Sequence, residues 1–139
     1  MPFLYDTACS SYINKDQNDY KSQPEPGVDT IWKAFQTSLR QGPNKDFIGS
    51  RDPSTEGRPY KWKTWRMVSD YVDRLAHGYV ALNLMPETVG EGQTWKFMGI
   101  YAKNREEWTL TDMAAMRQSG TTIAFYDTLG AAAVEFVIK

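Results

Sequence analysis

The residues of this 139-residue chain that could do chemistry are few and scattered. A general base needs a nucleophile or carboxylate partner arranged in space, and the sequence position of the one histidine, His77, cannot show such a partner. Glu106 and Glu107 are adjacent, but neighbours on a helix point apart and do not form a carboxylate pair. The sequence holds no metal-ligand cluster, nucleophile elbow or glycine-rich nucleotide loop. We therefore predict no catalytic, cofactor-binding or metal-binding residue, and we interpret His77 as a partly exposed helix histidine.

Aromatic and basic residues alternate in one stretch of the chain. Such a stretch could be a stacking platform for single-stranded nucleic acid or sugar. It is more typical of an amphipathic strand with one buried face, which is our interpretation here. The residues are Tyr60, Trp62 and Trp65, interleaved with Lys61, Lys63 and Arg66.

The overall charge gives no sign of a polyanionic partner. The chain has 16 Lys and Arg against 17 Asp and Glu, a net charge of −1. The sequence as a whole therefore lacks the electrostatic footprint of a nucleic-acid-binding protein and a polybasic patch for anionic lipid. We expect no nucleic-acid partner.

Cys9 is the only cysteine, which excludes an internal disulfide and suits a reducing compartment. No histidine or basic residue lies near it in sequence, so we interpret it as an inert thiol. Residues 1–5 do not form a signal peptide, and no stretch approaches the ~20 apolar residues of a transmembrane segment. We expect an intracellular location in a reducing compartment, with peripheral association with an organelle membrane left open.

The end of the chain predicts a strand, a helix, a strand and a second helix. Residues 97–102 are a short apolar run and residues 121–126 are β-branched and aromatic, as in strands. Asn104 is a suitable N-cap for the helix between them, and Gly120 is placed to end it with a positive φ. The last helix covers 131–138. This βαβα order belongs to a parallel sheet, whose two faces other elements must cover.

The segment Tyr126–Gly130 forms the corner before the last helix. Asp127 could cap that helix, contact a ligand or remain a solvated charge. Capping is favoured because Asp accepts backbone N–H groups at a helix start, whereas its charge would repel an anionic ligand. No Gly, Asn or Pro ends the helix before Lys139, so we expect an unfinished fold that exposes apolar surface. The apolar positions of the helix are Ala133, Val134, Val137 and Ile138.

Two more helices are predicted upstream. Ile31, Phe35 and Leu39 recur every four residues, and Gly42-Pro43 ends the first helix. Thr64 caps the second, which runs to Met85-Pro86. The predicted apolar face of the second helix comprises Val68, Tyr71, Val72, Leu75, Tyr79 and Leu82.

The remaining segments predict a strand, two loops and a leader. Residues 47–51 form the strand, and 54–58 and 87–93 are polar loops. Residues 1–27 are an extended polar leader, which packs on its own subunit or, less favoured, on a partner chain. Residues 28–139 form the folded domain.

Several segments match one family in order and almost without gaps. They are Gly27–Phe35, Phe47–Arg51, Tyr60–Ser69, Gly99–Trp108 and Tyr126–Gly130. The fourth matches the pattern G-I-x-x-x-N-R-x-E-W, and the fifth is the most specific. The stretch from Val28 to Lys139 thus resembles the N-terminal part of the long-chain acyl-CoA synthetases, members of the AMP-forming adenylate-forming enzymes.

The resemblance implies both a fold and an activity. The fold is α/β: the N-terminal portion of the large adenylate-forming-enzyme domain, truncated at its C-terminal end, with an incomplete parallel or mixed sheet flanked by helices. The activity of the parent enzyme joins fatty acid and CoA to give acyl-CoA, with ATP converted to AMP and diphosphate. ATP, magnesium and CoA are implied for the parent, and none is expected to bind this chain alone. The implied partners are the rest of the synthetase or other protein chains.

The segment Gln118–Thr122 is similar to part of the phosphate-binding loop of that superfamily. A phosphate loop needs further glycines, and usually a lysine, to surround the anion with backbone N–H groups. We interpret this segment as a helix end followed by a strand. The alternative to the ligase is a non-catalytic structural module, derived from the same fold and packed within a larger assembly.

Overall fold

The computed structural model describes residues 23–138 and the backbone of residues 3–6 and 11–14. Its four helices and seven strands follow one another in mixed order. They are β1 (Phe3–Asp6), β2 (Ser11–Asn14), α1 (Ile31–Gln41), β3 (Asp46–Arg51), β4 (Tyr60–Thr64), α2 (Trp65–Ala81), β5 (Glu87–Gly90), β6 (Gln93–Tyr101), α3 (Glu106–Arg117), β7 (Thr121–Phe125) and α4 (Ala131–Ile138). Cys9 lies outside the described residues.

The strands form three small sheets. β1 pairs with β2, and β3 with β4, both antiparallel. The third sheet has the order β5-β6-β7, in which β5 and β6 are antiparallel and β6 and β7 are parallel. The α/β class and the mixed sheet are thus confirmed. In the leader, the backbone of β1 and β2 forms an antiparallel pair.

The core lies where α1, α2 and α3 meet. Phe35 of α1 is buried, and its ring contacts those of Trp65 and Phe47 at centroid distances of 5.4 and 5.8 Å. Burial of these rings removes apolar area from water and adds favourable aromatic contacts. The buried residues of the core are Phe35, Val68, Val72, Ala76, Tyr79, Met85, Leu110, Met113, Ala114 and Ala115.

Threonine side chains cap the first two long helices. Thr30 Oγ1 accepts the Lys33 N–H at 3.1 Å at the start of α1. Thr64 Oγ1 accepts the Met67 N–H at 3.3 Å at the start of α2, as predicted. α2 ends at Ala81, four residues before the predicted end, and Asn83 follows it with a φ of 49°. Asn tolerates this left-handed conformation better than most residues.

The predicted boundaries of α3 are wrong in two details. Arg105, not Asn104, is its N-cap residue, and no side chain caps the helix. At the other end Ser119 adopts the positive φ, 56°, that was predicted for Gly120. The Gly120 N–H donates to the Ala115 carbonyl at 2.8 Å and the Ser119 N–H to that of Met116 at 3.0 Å, which together satisfy the last carbonyls of the helix.

The predicted loop over 87–93 is also wrong, because a short hairpin occupies it. β5 covers Glu87–Gly90, and β6 begins at Gln93 after a two-residue turn. The turn residues Glu91 and Gly92 have φ of 52° and 77°, as a tight antiparallel hairpin requires. The loop over 54–58 is confirmed as the connection between β3 and β4.

Several predicted apolar faces are less buried than expected. Ile31 of α1 is 70% exposed and Leu82, after α2, is 71% exposed. Tyr71 is also exposed. α4 contains no buried residue, in line with the apolar surface expected there. β4 was predicted to have one buried face, and its residues Tyr60 and Trp62 are each 52% exposed. Among the described residues, no helix is long and apolar enough to cross a membrane.

Two glycines with opposite surroundings give a matched test of the α2–α3 packing. A Cβ at Gly120 would lie 2.8 Å from Met85 Sδ and 3.1 Å from the Ala115 carbonyl oxygen, whereas one at Gly78 would meet nothing within 4 Å. Gly120→Ala should lower the free energy of unfolding by about 1–3 kcal/mol through overpacking. Gly78→Ala, inside α2, should raise it by about 0.5–1 kcal/mol because alanine loses less backbone entropy. Urea unfolding followed by circular dichroism measures both, and equal effects would contradict the packing described here.

Candidate functional site

A cavity opens between the β3–β4 hairpin and the start of α3. Its volume is about 1010 Å³, and its walls come from residues 48–53, Lys61, Lys63 and residues 103–109. It therefore includes most of the motif Gly99–Trp108. Ten of the fifteen residues that line it have charged or hydroxylated side chains.

Glu106 joins the hairpin to α3. Its carboxylate accepts a hydrogen bond from Lys63 Nζ at 2.6 Å and another from the Ser50 hydroxyl. The side chains of Lys63 and Glu106 are 23% and 19% exposed, so this ion pair is partly shielded from water. Glu106 is also the first residue of α3, where the helix dipole favours negative charge. The pKa of Glu106 is lowered, first by the Lys63 hydrogen bond and then by Ser50.

Glu107 points away from Glu106, as predicted, and pairs with a different cation. Its two carboxylate oxygens accept from Arg105 Nε at 2.6 Å and Nη2 at 2.7 Å. This bidentate contact lowers the pKa of Glu107 to about 2 and raises the pKa of Arg105. Both side chains are more than half exposed, so water screens the pair.

Asp52 is a buried carboxylate that the sequence analysis did not single out. It accepts from the Ser54 hydroxyl and the Thr55 hydroxyl at 2.6 Å each, and from the Ser54 N–H at 3.0 Å. Lys61 Nζ lies 2.8 Å away and, with these hydrogen bonds, holds the pKa of Asp52 well below its usual range. The sequence Asp52-Pro53-Ser54-Thr55 is a signal for this fold, because Asp side chains bind the backbone two residues on in turns.

These carboxylates are suited to structure rather than to acid–base chemistry. A general base works best with a pKa near the working pH, and each of the three acids described here has its pKa shifted downward. Within residues 23–138, no group of three or more His, Cys, Asp and Glu could hold a metal ion. The cavity is therefore held in shape by ionic contacts, and the described residues give it no nucleophile with an activating base.

A second, apolar cavity lies beside the carboxyl ends of β6 and β7. It has a volume of about 660 Å³ and is lined by Tyr101 and by residues of α4. The Tyr101 hydroxyl donates to the Leu129 carbonyl at 3.0 Å and so fixes the corner Tyr126–Gly130 to the end of β6. Carboxyl ends of parallel strands are where open α/β sheets place their ligand crevices.

The corner itself is confirmed, but the predicted role of Asp127 is wrong. α4 begins at Ala131, and the Gly130 carbonyl accepts the first helical N–H groups from Ala133 and Val134. Asp127 therefore lies too far back to cap the helix, and its carboxylate instead approaches Lys103 Nζ at 3.9 Å. That distance and the exposure of both side chains make it a weak contact.

The other residues and segments considered in the sequence analysis lie apart from one another in the structure. His77 is exposed on α2, away from both cavities. The segment Gln118–Thr122 is the end of α3 followed by β7, as predicted. Trp62 and Tyr60 lie on β4, on the side opposite Lys61 and Lys63.

Comparison with known proteins shows which family the chain belongs to. A family model described as "AMP-binding enzyme" matches residues 35–139. Long-chain-fatty-acid–CoA ligase 5 of Rattus norvegicus is 34% identical over 110 residues, which are 79% of this chain and 15% of the ligase. Long chain acyl-CoA synthetase 4 of Arabidopsis thaliana is 33% identical over 120 residues, 84% of this chain and 17% of the synthetase. No solved structure matches the chain significantly.

The mixed sheet and the crossover helix α3 define the class as an α/β domain. The chain belongs to the AMP-binding enzyme family. The resemblance to long-chain acyl-CoA synthetases is confirmed, and the chain spans about 15% of the length of these relatives.

The Glu106 contact can be tested against its neighbour. Glu106→Gln removes the charge that Lys63 faces in a partly buried site, and should lower the free energy of unfolding by about 1–2 kcal/mol. Glu107→Gln removes an exposed ion pair and should cost no more than about 0.5 kcal/mol. Urea unfolding of the wild type and the two variants at neutral pH measures the difference in their free energies of unfolding.

The same contact has a defined pH dependence. Because the pKa of Glu106 is lowered on folding, its contribution is complete above the ordinary value of 4.5 and is lost as pH falls through the folded-state pKa. The stability gap between the wild type and Glu106→Gln should therefore close as pH falls below 4.5. A gap that stayed constant through that range would exclude an ionic role for Glu106.

Proposed function

We propose that this chain is part of an ATP-dependent long-chain fatty acid–CoA ligase, which forms acyl-CoA, AMP and diphosphate from fatty acid, ATP and CoA. The observation that carries the proposal is the identity of about one third, over about four fifths of the chain, with proteins named long-chain ligases and synthetases. The corner Tyr126–Gly130 supports the long-chain branch in particular, because its sequence is the most specific of the motifs.

The contribution of this chain would be to hold the corner beside the substrate site. Tyr101 and α4 line an apolar cavity at the carboxyl ends of the parallel strands. An apolar wall suits a hydrocarbon chain, since its burial there removes apolar surface from water. The Tyr101 hydroxyl would position this wall through its bond to Leu129 rather than touch the reacting carboxylate.

The adenylation chemistry would lie with other residues of the enzyme. Magnesium and ATP are implied by the family, but the described residues provide no group of acidic ligands for the metal. We therefore assign no step through magnesium to this chain. We further propose an intracellular, reducing location, with the rest of the synthetase as the partner that covers α4.

The activity itself gives the first test of the proposal. The enzyme that contains this chain should form acyl-CoA from a long-chain fatty acid only when both ATP and CoA are present. Each acyl-CoA should be matched by one AMP, which chromatography of the nucleotides measures. A folded enzyme that released ADP instead of AMP, or that formed no acyl-CoA, would contradict the proposal. It would favour the alternative that the chain is a non-catalytic structural module.

The corner provides a variant with a specific kinetic effect. Tyr101→Phe removes the hydrogen bond to Leu129 and should raise the KM for fatty acid about fivefold, as expected for a loss of about 1 kcal/mol. The KM for ATP should not change. Tyr71→Phe, on an exposed tyrosine of α2, is the control and should change neither value. A rise in the KM for ATP alone would contradict the placement of the acyl chain at this corner.

Residues 1–139 by themselves should not bind nucleotide. Titration calorimetry with ATP and magnesium is expected to show no saturable heat, because the described residues offer neither a phosphate loop nor a metal site. Micromolar binding by this chain would mean that the nucleotide site includes its residues.

A further inference from the structure

We draw no further inference here: the strongest candidate, the exposed aromatic patch that Tyr60 and Trp62 form on β4 of the β3–β4 hairpin, carries none because nothing in the structure shows what covers this patch in a chain that spans about 15% of the length of its relatives.

Discussion

The close approach of α2 and α3 is the constraint on which the rest of this structure depends. Ala76, Ala114 and Ala115 have no exposed surface, and their small side chains let the two helices lie against each other. Arg117 of α3 adds an ion pair to Asp73 of α2 at 2.5 Å, and its guanidinium lies 5.7 Å from the Trp32 ring of α1. The three helices thus form one body, and both the hairpin and the parallel strands take their positions from it.

The sequence predicts the elements well where the signals are local. Thr64 caps α2, and residues 121–125 are a β-branched strand, because each of these features depends on a few neighbouring residues. Short strands are harder to predict: β5 contains only Thr88 and Val89 between Glu87 and Gly90, and its pairing with β6 makes it a strand. Gly120 was correctly placed at a helix end, but the reason is the space taken by Met85, which lies far away in sequence.

In the candidate site, too, the features that depend on neighbouring residues could be predicted, and the contacts between distant residues could not. That Glu106 and Glu107 act separately follows from helix geometry alone. The partners of Glu106 come from β3 and β4, 56 and 43 residues earlier, and no local pattern indicates them. The exposure of Tyr60 and Trp62 was missed because alternation predicts that a strand has two different faces without saying which one is buried.

The parallel pairing of β6 and β7 also affects how the chain reaches its fold. Each pair in the register, from Phe97 with Thr121 to Tyr101 with Phe125, joins residues 24 positions apart. The antiparallel pair of β5 and β6 closes a turn of only two residues. Closing the longer loop costs more chain entropy. This entropy is lost before the contacts that compensate for it can form. The entropy of loop closure therefore favours formation of the β5–β6 hairpin before β7 pairs with β6.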